Sequence, residues 1–522
     1  DPSRAAKYDE TTSQAYGITS FREDPVTHTK QAVAWKVLEY SVDNGATWTT
    51  TKPAWMTALS KESGNGGTAA ETGTATLTKD IKDFLKPRND GLKNATPLGT
   101  ASAPYNLSNS TGAAPVENTA NSYLISAPGH YRIPLVYGNA IKNGVTNSSA
   151  YQTSHTGTDI LSNFQDHKGN DITNPWIEKT NSGANAGING AKIVWSDEKD
   201  LVHLSTSPIV HDASGDAYLD FEVKQADIKS GNAVVAVTKG GTVVWSWHLW
   251  FAPKSALTPI PVTNYQNKVY NFTEESLGWK YTAWSGSTYS APRSVKVKVE
   301  QTVANSGVKQ TAVITITQNN GNVRQGYPTF YQFGRKDAFP GTDTTPDGSF
   351  NKNGGDNMSV RNGIQHPETF YTDGTSWYND YNQYNLWSMD NTTTGYNDNS
   401  VVKTIYDPCP AGFHMPASNA FTGFTTNGQD YGPMNVSGAW DYGWNFNNKI
   451  SSPDATVYFP ASGCRYCSSG SLNNVGSGGY YWSAVPYNAR FGCDLIFYSG
   501  SVYLQGNGSL RSHGWSVRPV SE

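Results

Sequence analysis

Four cysteines, all in the last quarter of the chain, are the residues with the most reactive side chains in this sequence. They are Cys409, Cys464, Cys467 and Cys493. In an exported protein an even, clustered count suits two disulfides, for which three connectivities exist. Cys464 and Cys467 also form a C-x-x-C pair, but the second pair of a zinc site and the strand–helix–strand context of a thioredoxin-like site are both missing. Disulfides or buried free thiols are therefore the favoured interpretations.

A long polar segment from Phe370 to Asn399 is rich in aromatic residues and has the composition of a binding surface. Its rings can stack on sugar rings, and its amides and carboxylates can bind hydroxyl groups. For any single residue, the alternative that the ring packs a long loop against its domain is favoured. Tyr480 is a further candidate, because alternation along a strand turns one of two adjacent tyrosines outward. The candidate ligand-binding residues are Asp373, Trp377, Tyr378, Asp380, Tyr381, Trp387 and Tyr480.

The sequence contains no recognisable catalytic motif. It has no H-E-x-x-H, no G-x-S-x-G, no P-loop and no dinucleotide-binding glycine pattern. His130, His248 and His414 lie in apolar phrases, where a hydrogen-bonded structural histidine is the usual finding. We therefore predict that the protein is not an enzyme and has no catalytic residue, no metal ligand and no cofactor. The acidic groups of the aromatic segment could hold a structural calcium ion, but the spacing of an EF-hand loop is absent.

The composition of the chain favours β-structure and argues against two classes of partner. Its 522 residues include 50 Gly, 30 Tyr and 16 Trp, and only 16% are charged. A chain of this length divides into several domains. The formal charge of -4 and the absence of a long basic run argue against nucleic acid. No apolar run approaches the roughly 20 residues of a membrane-spanning helix, so we predict no transmembrane segment in the mature chain.

Several stretches carry clear strand signals. An Asn-Gly turn within residues 36–48 predicts a hairpin. Residues 233–237 and 242–251, separated by a Lys-Gly-Gly turn, predict a second hairpin with both faces at least partly covered. Residues 294–300 alternate strictly and residues 312–317 nearly so, which predicts antiparallel strands with one solvated face.

Three phrases near the C-terminus resemble, in their order and spacing, the C-type-lectin-like module that ends many surface proteins of Gram-negative gut anaerobes. They are DPCPAGFHMP (residues 407–416), GYYWSA (479–484) and GWSVRP (514–519). The module is distantly similar to the formylglycine-generating-enzyme fold, but no metal or substrate-peptide motif of that enzyme can be matched. The Glu-Pro-Asn, Gln-Pro-Asp and Trp-Asn-Asp tripeptides of calcium-dependent lectins are also missing, so no ligand residue is carried over.

Four further phrases resemble those of fimbrillin-like cell-surface proteins of the same bacterial group. They are SAPG (126–129), YGNA (137–140), WSWH (245–248) and YQFGRKD (331–337). The resemblance spans roughly residues 120–522. It implies immunoglobulin-like or transthyretin-like β-sandwiches that carry a terminal lectin-like head, as in pilus tip subunits and adhesins.

We therefore predict a mainly β, multidomain protein in which N-terminal β-sandwich domains of the immunoglobulin or transthyretin kind precede an α+β C-type-lectin-like domain. The predicted divisions are a polar N-terminal tail (1–30), a small β-rich domain (31–118), a fimbrillin-like β-sandwich (119–322) and a C-type-lectin-like domain (323–522).

The predicted function is binding. The resemblance implies a non-enzymatic adhesin, placed at a pilus tip or standing alone, whose C-terminal head binds a host or bacterial surface glycan or protein. It would be exported to the cell surface and associate with the outer membrane as a lipoprotein or as part of a fimbrium. The alternative is a structural fimbrial subunit that assembles with other pilus subunits by β-strand addition.

Overall fold

A computed structural model describes most of the chain and shows a mainly β protein. The described residues are 12–79, 82–83, 85–286, 292–319, 322–505 and 508–522. Strands make up 39% and helices 8% of the structure, which confirms the predicted mainly β multidomain class. Within those ranges no helix has the length and apolar character that crossing a bilayer requires.

Strands of very different length follow one another along the chain. Those of the first quarter are β1 (Ser13–Glu23), β2 (Lys30–Ala32), β3 (Trp35–Ser41), β4 (Met56–Leu59), β5 (Ser63–Gly64), β6 (Gly67–Leu77), β7 (Lys82–Asp83), β8 (Tyr105–Asn106) and β9 (Ser122–Ile125). The next are β10 (Gly129–Pro134), β11 (Ile141–Lys142), β12 (Val145–Thr146), β13 (Gly190–Ser196), β14 (Ile209–His211), β15 (Ala217–Val223), β16 (Gly231–Lys239), β17 (Thr242–Phe251), β18 (Pro259–Thr263), β19 (Val269–Thr273) and β20 (Lys280–Gly286).

The remaining strands are β21 (Arg293–Gln301), β22 (Thr311–Gln318), β23 (Asn322–Tyr327), β24 (Asp347–Gly348), β25 (Phe413–His414), β26 (Val436–Ser437), β27 (Gly443–Asn447), β28 (Thr456–Pro460), β29 (Cys464–Arg465), β30 (Leu472–Asn473), β31 (Gly478–Pro486), β32 (Phe491–Tyr498), β33 (Val502–Tyr503), β34 (Ser509–Leu510) and β35 (Val520–Ser521). The α-helices are α1 (Leu85–Asn94), α2 (Thr180–Gly183), α3 (Val360–Gln365) and α4 (Ser376–Asn379).

The described residues fall into two compact units, of which the smaller combines parts of the chain that are far apart in sequence. It takes its residues from 7–84 and 283–324. One sheet has the order β2-β1-β6-β4 and the other β22-β21-β3-β5. Tyr16 and Ile18 of β1 point into a hydrophobic core together with Trp35 of β3 and Val297 of β21, while Ala15, Gly17 and Thr19 are not buried. This alternation is what two packed sheets with one solvated face each require.

The larger unit takes its residues from 85–282 and 325–522. At its centre lies a five-stranded sheet of order β24-β13-β16-β17-β9. The predicted hairpin forms from β16 and β17, with Lys239 paired to Thr242 across a two-residue turn. All of β17 after Thr242 is buried, as expected for a strand covered on both faces.

The compact units divide the chain differently from the predicted ranges. The strands of residues 293–301 and 311–318, which we placed in the sandwich of 119–322, belong to the smaller unit, where β21 pairs with β3. Strand β1 forms inside the predicted polar tail. The predicted sandwich and lectin-like ranges interleave, because β24 pairs with β13 and β35 with β19. Strand signals are local, whereas strand partners depend on contacts between distant residues.

Candidate functional site

The YQFGRKD phrase forms a buried ion network in the larger unit. One carboxylate oxygen of Asp337 accepts hydrogen bonds from Arg335 Nε and Nη2 at 3.1 and 2.8 Å, and the other accepts one from Lys336 Nζ at 2.8 Å. Lys336 also donates to Ser246 Oγ, and its Nζ lies 4.6 Å from the ring centroid of Trp245. All three charged side chains are buried. The phrase therefore joins β17 to the segment after β23, inside the molecule.

The histidine of the WSWH phrase is part of the same buried interior. His248 Nε2 lies 2.9 Å from Asn232 Oδ1, and Nδ1 lies 3.1 Å from Ser122 Oγ and 3.3 Å from the Tyr331 hydroxyl. Burial lowers the pKa of His248 to about 3, so the ring is neutral at physiological pH. This is the structural role that its apolar neighbours predict.

The DPCPAGFHMP phrase is held in shape by its own aspartate. The two oxygens of Asp407 accept hydrogen bonds from the backbone N–H groups of Cys409 at 2.7 Å and Met415 at 2.9 Å. Asp407 is fully buried. The phrases that carry the resemblance thus build the interior of the larger unit, and a binding surface must be sought elsewhere.

All four cysteines are buried free thiols, one of the two favoured alternatives. Burial raises the pKa of Cys464 to about 12 and that of Cys467 to about 11. Because the thiolate is the reactive form, these side chains are poor nucleophiles. Among the described residues, no three His, Cys, Asp or Glu side chains are grouped as metal ligands would be.

The thiols give a simple prediction. We expect no reaction with Ellman's reagent in the folded protein at pH 8, and four reactive thiols per chain after unfolding in guanidinium without reductant. Unfolded protein treated with reductant is the control. A count below four without reductant would show that disulfides had formed.

Four of the seven predicted binding residues lie inside the larger unit. Trp377, Tyr381, Trp387 and Tyr480 are between 0% and 6% exposed. Trp377 and Tyr381 pack edge to face with their centroids 5.5 Å apart, and Trp387 Nε1 donates to the carbonyl of Tyr406 at 3.1 Å. Their rings are inaccessible to a ligand in this structure. Trp377 and Tyr381 belong to the core cluster that includes Trp245 and Trp247 of β17. Trp387 packs on Phe333 with their centroids 4.8 Å apart, and Tyr480 of β31 packs on Trp515 at 5.2 Å.

The other three predicted residues lie at the surface. Asp380 is exposed, while Asp373 and Tyr378 are half-buried. The guanidinium of Arg490 covers the ring of Tyr378 at 5.1 Å and lies 3.6 Å from an Asp373 oxygen. Asp373 also accepts a hydrogen bond from Ser512 Oγ at 3.0 Å. The aromatic face in this group is therefore already occupied by Arg490.

A second group of tyrosines, which the sequence did not identify, does present rings to solvent. We call Tyr265, Tyr431, Tyr498 and Tyr503 the tyrosine platform. Tyr431 is 69% exposed and Tyr265 is 48% exposed, while Tyr498 and Tyr503 are half-buried. The ring centroids of Tyr431 and Tyr503 lie 4.4 Å apart, and those of Tyr503 and Tyr498 lie 6.2 Å apart. Three rings thus form a continuous row.

Tyr431 is exposed although its backbone conformation is unfavourable. Its φ of 55° lies in the left-handed region, which is unfavourable for a bulky residue. Its N–H donates to the carbonyl of Val502 at 2.9 Å, and the side chain of the preceding Asp430 accepts the N–H of Gln505 at 2.7 Å. Such a conformation persists only where the surroundings fix it. The loop is therefore held against the β32–β33 hairpin with Tyr431 turned outward.

Tyr265 lies against the same loop. A Cβ at Gly428, whose φ is 67°, would come within 2.3 Å of Tyr265 Cγ. Only glycine permits both the turn and this close contact. Tyr265 thus packs at its base on Gly428 while about half of its side chain stays exposed.

Rings presented in this way, among polar side chains, are suited to a ligand with apolar and hydroxylated faces. Asn427, Gln429 and Gln505 are exposed beside the rings and carry amides that donate and accept hydrogen bonds. Aromatic rings contribute large contact area at little cost in conformational entropy. The sequence offered one signal for an exposed loop, the tyrosine between Gly428 and Gly432. That signal does not show that this loop is hydrogen-bonded to Val502 and Gln505.

The fold and the platform define a mainly β multidomain protein with an aromatic surface on its larger unit. Residues 443–520 match the family model described as a domain of unknown function, DUF8237. This range contains Tyr498 and Tyr503 of the platform. Searches of curated proteins and of solved structures found no match.

Proposed function

We propose that this protein is a non-enzymatic cell-surface adhesin that binds a glycan through the tyrosine platform. The observation that carries the proposal is the row of Tyr431, Tyr503 and Tyr498 rings on the surface, with Tyr431 held in a left-handed conformation. A sugar presents C–H groups on one face and hydroxyls at its edge. The rings can contact the C–H groups, and the neighbouring amides can bind the hydroxyls.

The resemblance supports the same function and the proposed location. The fimbrillin-like and C-type-lectin-like phrases imply an exported surface protein with a terminal lectin-like head, which is the part expected to bind. Three of the four platform tyrosines lie in the C-terminal range 323–522. The location at the outer membrane or in a fimbrium, and the lectin-like relationship of the head, belong to this proposal.

The test is a glycan array probed with the full chain, with and without calcium. We expect saturable binding to at least one glycan, unchanged by calcium, and at least a tenfold loss of affinity in Tyr431→Gly. Glycine removes the ring and relieves the unfavourable φ, so a loss of binding in this variant cannot be attributed to a strained fold.

Two further variants sharpen the result. Tyr431→Phe keeps the ring and should retain binding within about threefold, because an exposed hydroxyl exchanges its hydrogen bonds with water and contributes little net binding free energy. Tyr466→Ala removes a tyrosine that is 44% exposed outside the platform and should change nothing. The proposal fails if no glycan binds, or if Tyr431→Gly binds like the wild type.

One observation favours the alternative of a structural fimbrial subunit. Among the described strands of the smaller unit, β22 has a single neighbour, β21, and lies at the edge of its sheet. Most of its side chains are half or fully exposed, and Val313 is 47% exposed. A long edge strand of this kind can accept a strand from another chain.

The alternative predicts assembly. Light scattering at increasing concentration should then show multiples of the 56.7 kDa chain mass, and Val313→Lys should reduce them, since a charge on an edge strand opposes pairing. The control is Glu39→Gln on β3, which β21 separates from β22; it removes a surface ion pair with Lys298 and leaves the β22 edge intact. A monomer at all concentrations would remove this alternative.

A further inference from the structure

A polar cleft of about 470 Å³ opens beside β19 and β35 of the larger unit, and no tyrosine of the platform lines it. Its volume is within the range of sites for small ligands. Amides and hydroxyls line much of it, including those of Asn271, Asn399 and Ser400. Among the described residues, these three side chains make no hydrogen bond, so they are free to bind a ligand.

The cleft also contains a buried cation without an ionic partner. Lys403 is 5% exposed and donates to the carbonyl oxygens of Cys409 at 3.1 Å and Pro410 at 2.7 Å. It makes no ion pair with any other described residue. The charge of Lys403 lowers the pKa of Asp407, although burial raises it overall, but both Asp407 oxygens already accept backbone N–H groups.

The other deeply buried lysines of this unit are paired. Lys280 Nζ lies 2.5 Å from a Glu198 oxygen, and Lys336 Nζ lies 2.8 Å from an Asp337 oxygen. A buried charge without a counter-ion is costly, and the fold avoids that cost at both of these positions. At Lys403 two backbone carbonyls accept from the ammonium, and no carboxylate among the described residues lies within ion-pair distance of it.

A second lysine supports the same conclusion. Lys268 lines the cleft and its ammonium donates to the backbone carbonyl of Asp398, without an ion pair to a described carboxylate. The Asp398 side chain is engaged by the Tyr270 hydroxyl at 2.7 Å and by Asn264 at 2.9 Å. Two lysines therefore line the cleft, and neither forms an ion pair with a carboxylate among the described residues.

The remaining charged groups of the cleft do not neutralise this pair. Lys142 and Glu522 form an ion pair with each other. His414 Nδ1 lies 2.7 Å from the carbonyl of Met415, and burial lowers its pKa, so the ring is neutral at physiological pH. Lys268 and Lys403 thus give the cleft its positive character.

We infer that this cleft binds the carboxylate of an acidic sugar, a uronic or sialic acid unit, with Lys268 and Lys403 facing the anion and the free amides facing the hydroxyls. The choice of a sugar rests on the proposed function, whereas the requirement for an anion rests on the lysines alone. None of the platform tyrosines lines this site, although Lys268 and Tyr265 share the turn in which the Asn264 N–H donates to the Lys268 carbonyl at 2.9 Å. The site would add a charge requirement to glycan recognition.

The test is calorimetric titration of the full chain with a glucuronic-acid disaccharide, its neutral glucose counterpart and inorganic phosphate. We expect the acidic disaccharide to bind at least tenfold more tightly than the other two. The affinity for the acidic disaccharide should fall by at least tenfold in Lys268→Gln. It should also weaken as salt is raised from 20 to 500 mM, because salt screens the attraction between the lysines and the carboxylate.

Controls separate this inference from the proposed function. Lys254→Gln removes an exposed lysine outside the cleft and should leave binding within twofold, and Tyr431→Gly should do the same. For Lys403→Gln, binding is compared only if its circular dichroism spectrum matches that of the wild type, because Lys403 also donates to two backbone carbonyls.

Equal binding of phosphate, or of the neutral disaccharide, would overturn the acidic-sugar assignment. If the protein binds an array glycan through Tyr431 but does not bind the acidic disaccharide, the acidic-sugar assignment is wrong and the proposed function is not contradicted.

Discussion

The Asp337→Asn variant is expected to lose about 3–5 kcal/mol of the free energy of unfolding of the larger unit. Asp337 is the shared counter-ion of Arg335 and Lys336, and all three side chains are at most 3% exposed. The amide keeps the shape of the carboxylate but removes its charge, which leaves two buried cations with one neutral partner. Loss of one member of a buried ion network costs more than loss of the whole network.

Urea denaturation followed by tryptophan fluorescence measures this effect, because Trp245 lies beneath the Lys336 ammonium. Asp454→Asn is the matched control. It breaks a Lys449 ion pair whose carboxylate is 66% exposed, and we expect little change in the urea midpoint. An Asp337→Asn midpoint equal to that of the wild type would show that the network is not a stabilising part of the interior.

The second large effect concerns Asp494, which is buried in the larger unit and should make stability depend on pH. Burial raises the pKa of its carboxyl from 3.8 to about 8, helped by the charge of Asp430 and opposed by a hydrogen bond with Ser509. One oxygen has no hydrogen-bond partner among the described residues. The folded protein therefore keeps Asp494 protonated over a range where the unfolded chain releases the proton.

Between pH 3.8 and about 8 the folded state binds one more proton at Asp494 than the unfolded state. The free energy of unfolding must then fall as pH rises through this window, by up to about 1.4 kcal/mol per pH unit from this group, and the loss is complete above pH 8. Asp494→Asn carries a neutral side chain at every pH. Its stability relative to the wild type should rise steadily from pH 4 to pH 8.

Urea midpoints of both proteins at each pH unit from 4 to 9 test this, since all other titrating groups are common to the two and cancel in the difference. Near pH 4 the variant should be equal to the wild type or slightly less stable, because its amide buries two donor hydrogens where the protonated carboxyl buries one. Parallel curves over the whole range would contradict a protonated Asp494 in the fold.

The aromatic binding surface shows how far the candidate site could be predicted. The sequence identified rings and polar groups between Phe370 and Asn399, but Trp377, Tyr381 and Trp387 are buried, and of the predicted residues in this segment only Asp373, Tyr378 and Asp380 reach solvent. Composition reports that rings are present. It does not report which of them the rest of the chain covers.

The tyrosine platform could not be predicted for the same reason. Tyr431 and Tyr503 are far apart in sequence, and their contact depends on the hydrogen bond from Tyr431 N–H to Val502. The unpaired Lys403 was equally hidden, because a lysine in sequence gives no sign that its nearest carboxylates will be engaged by other groups.

The sequence by itself determined the elements that depend on neighbouring residues. The β16–β17 hairpin with its Gly-Gly turn, the alternation of β21 and β22 and the mainly β composition follow from turn chemistry and from a two-residue period. Only the tertiary structure decided that β21 joins β3, that β24 joins β13 and which tyrosines remain outside. A strand's period fixes its two faces, but its partner and the covering of each face depend on hydrogen bonds and packing between residues distant in the chain.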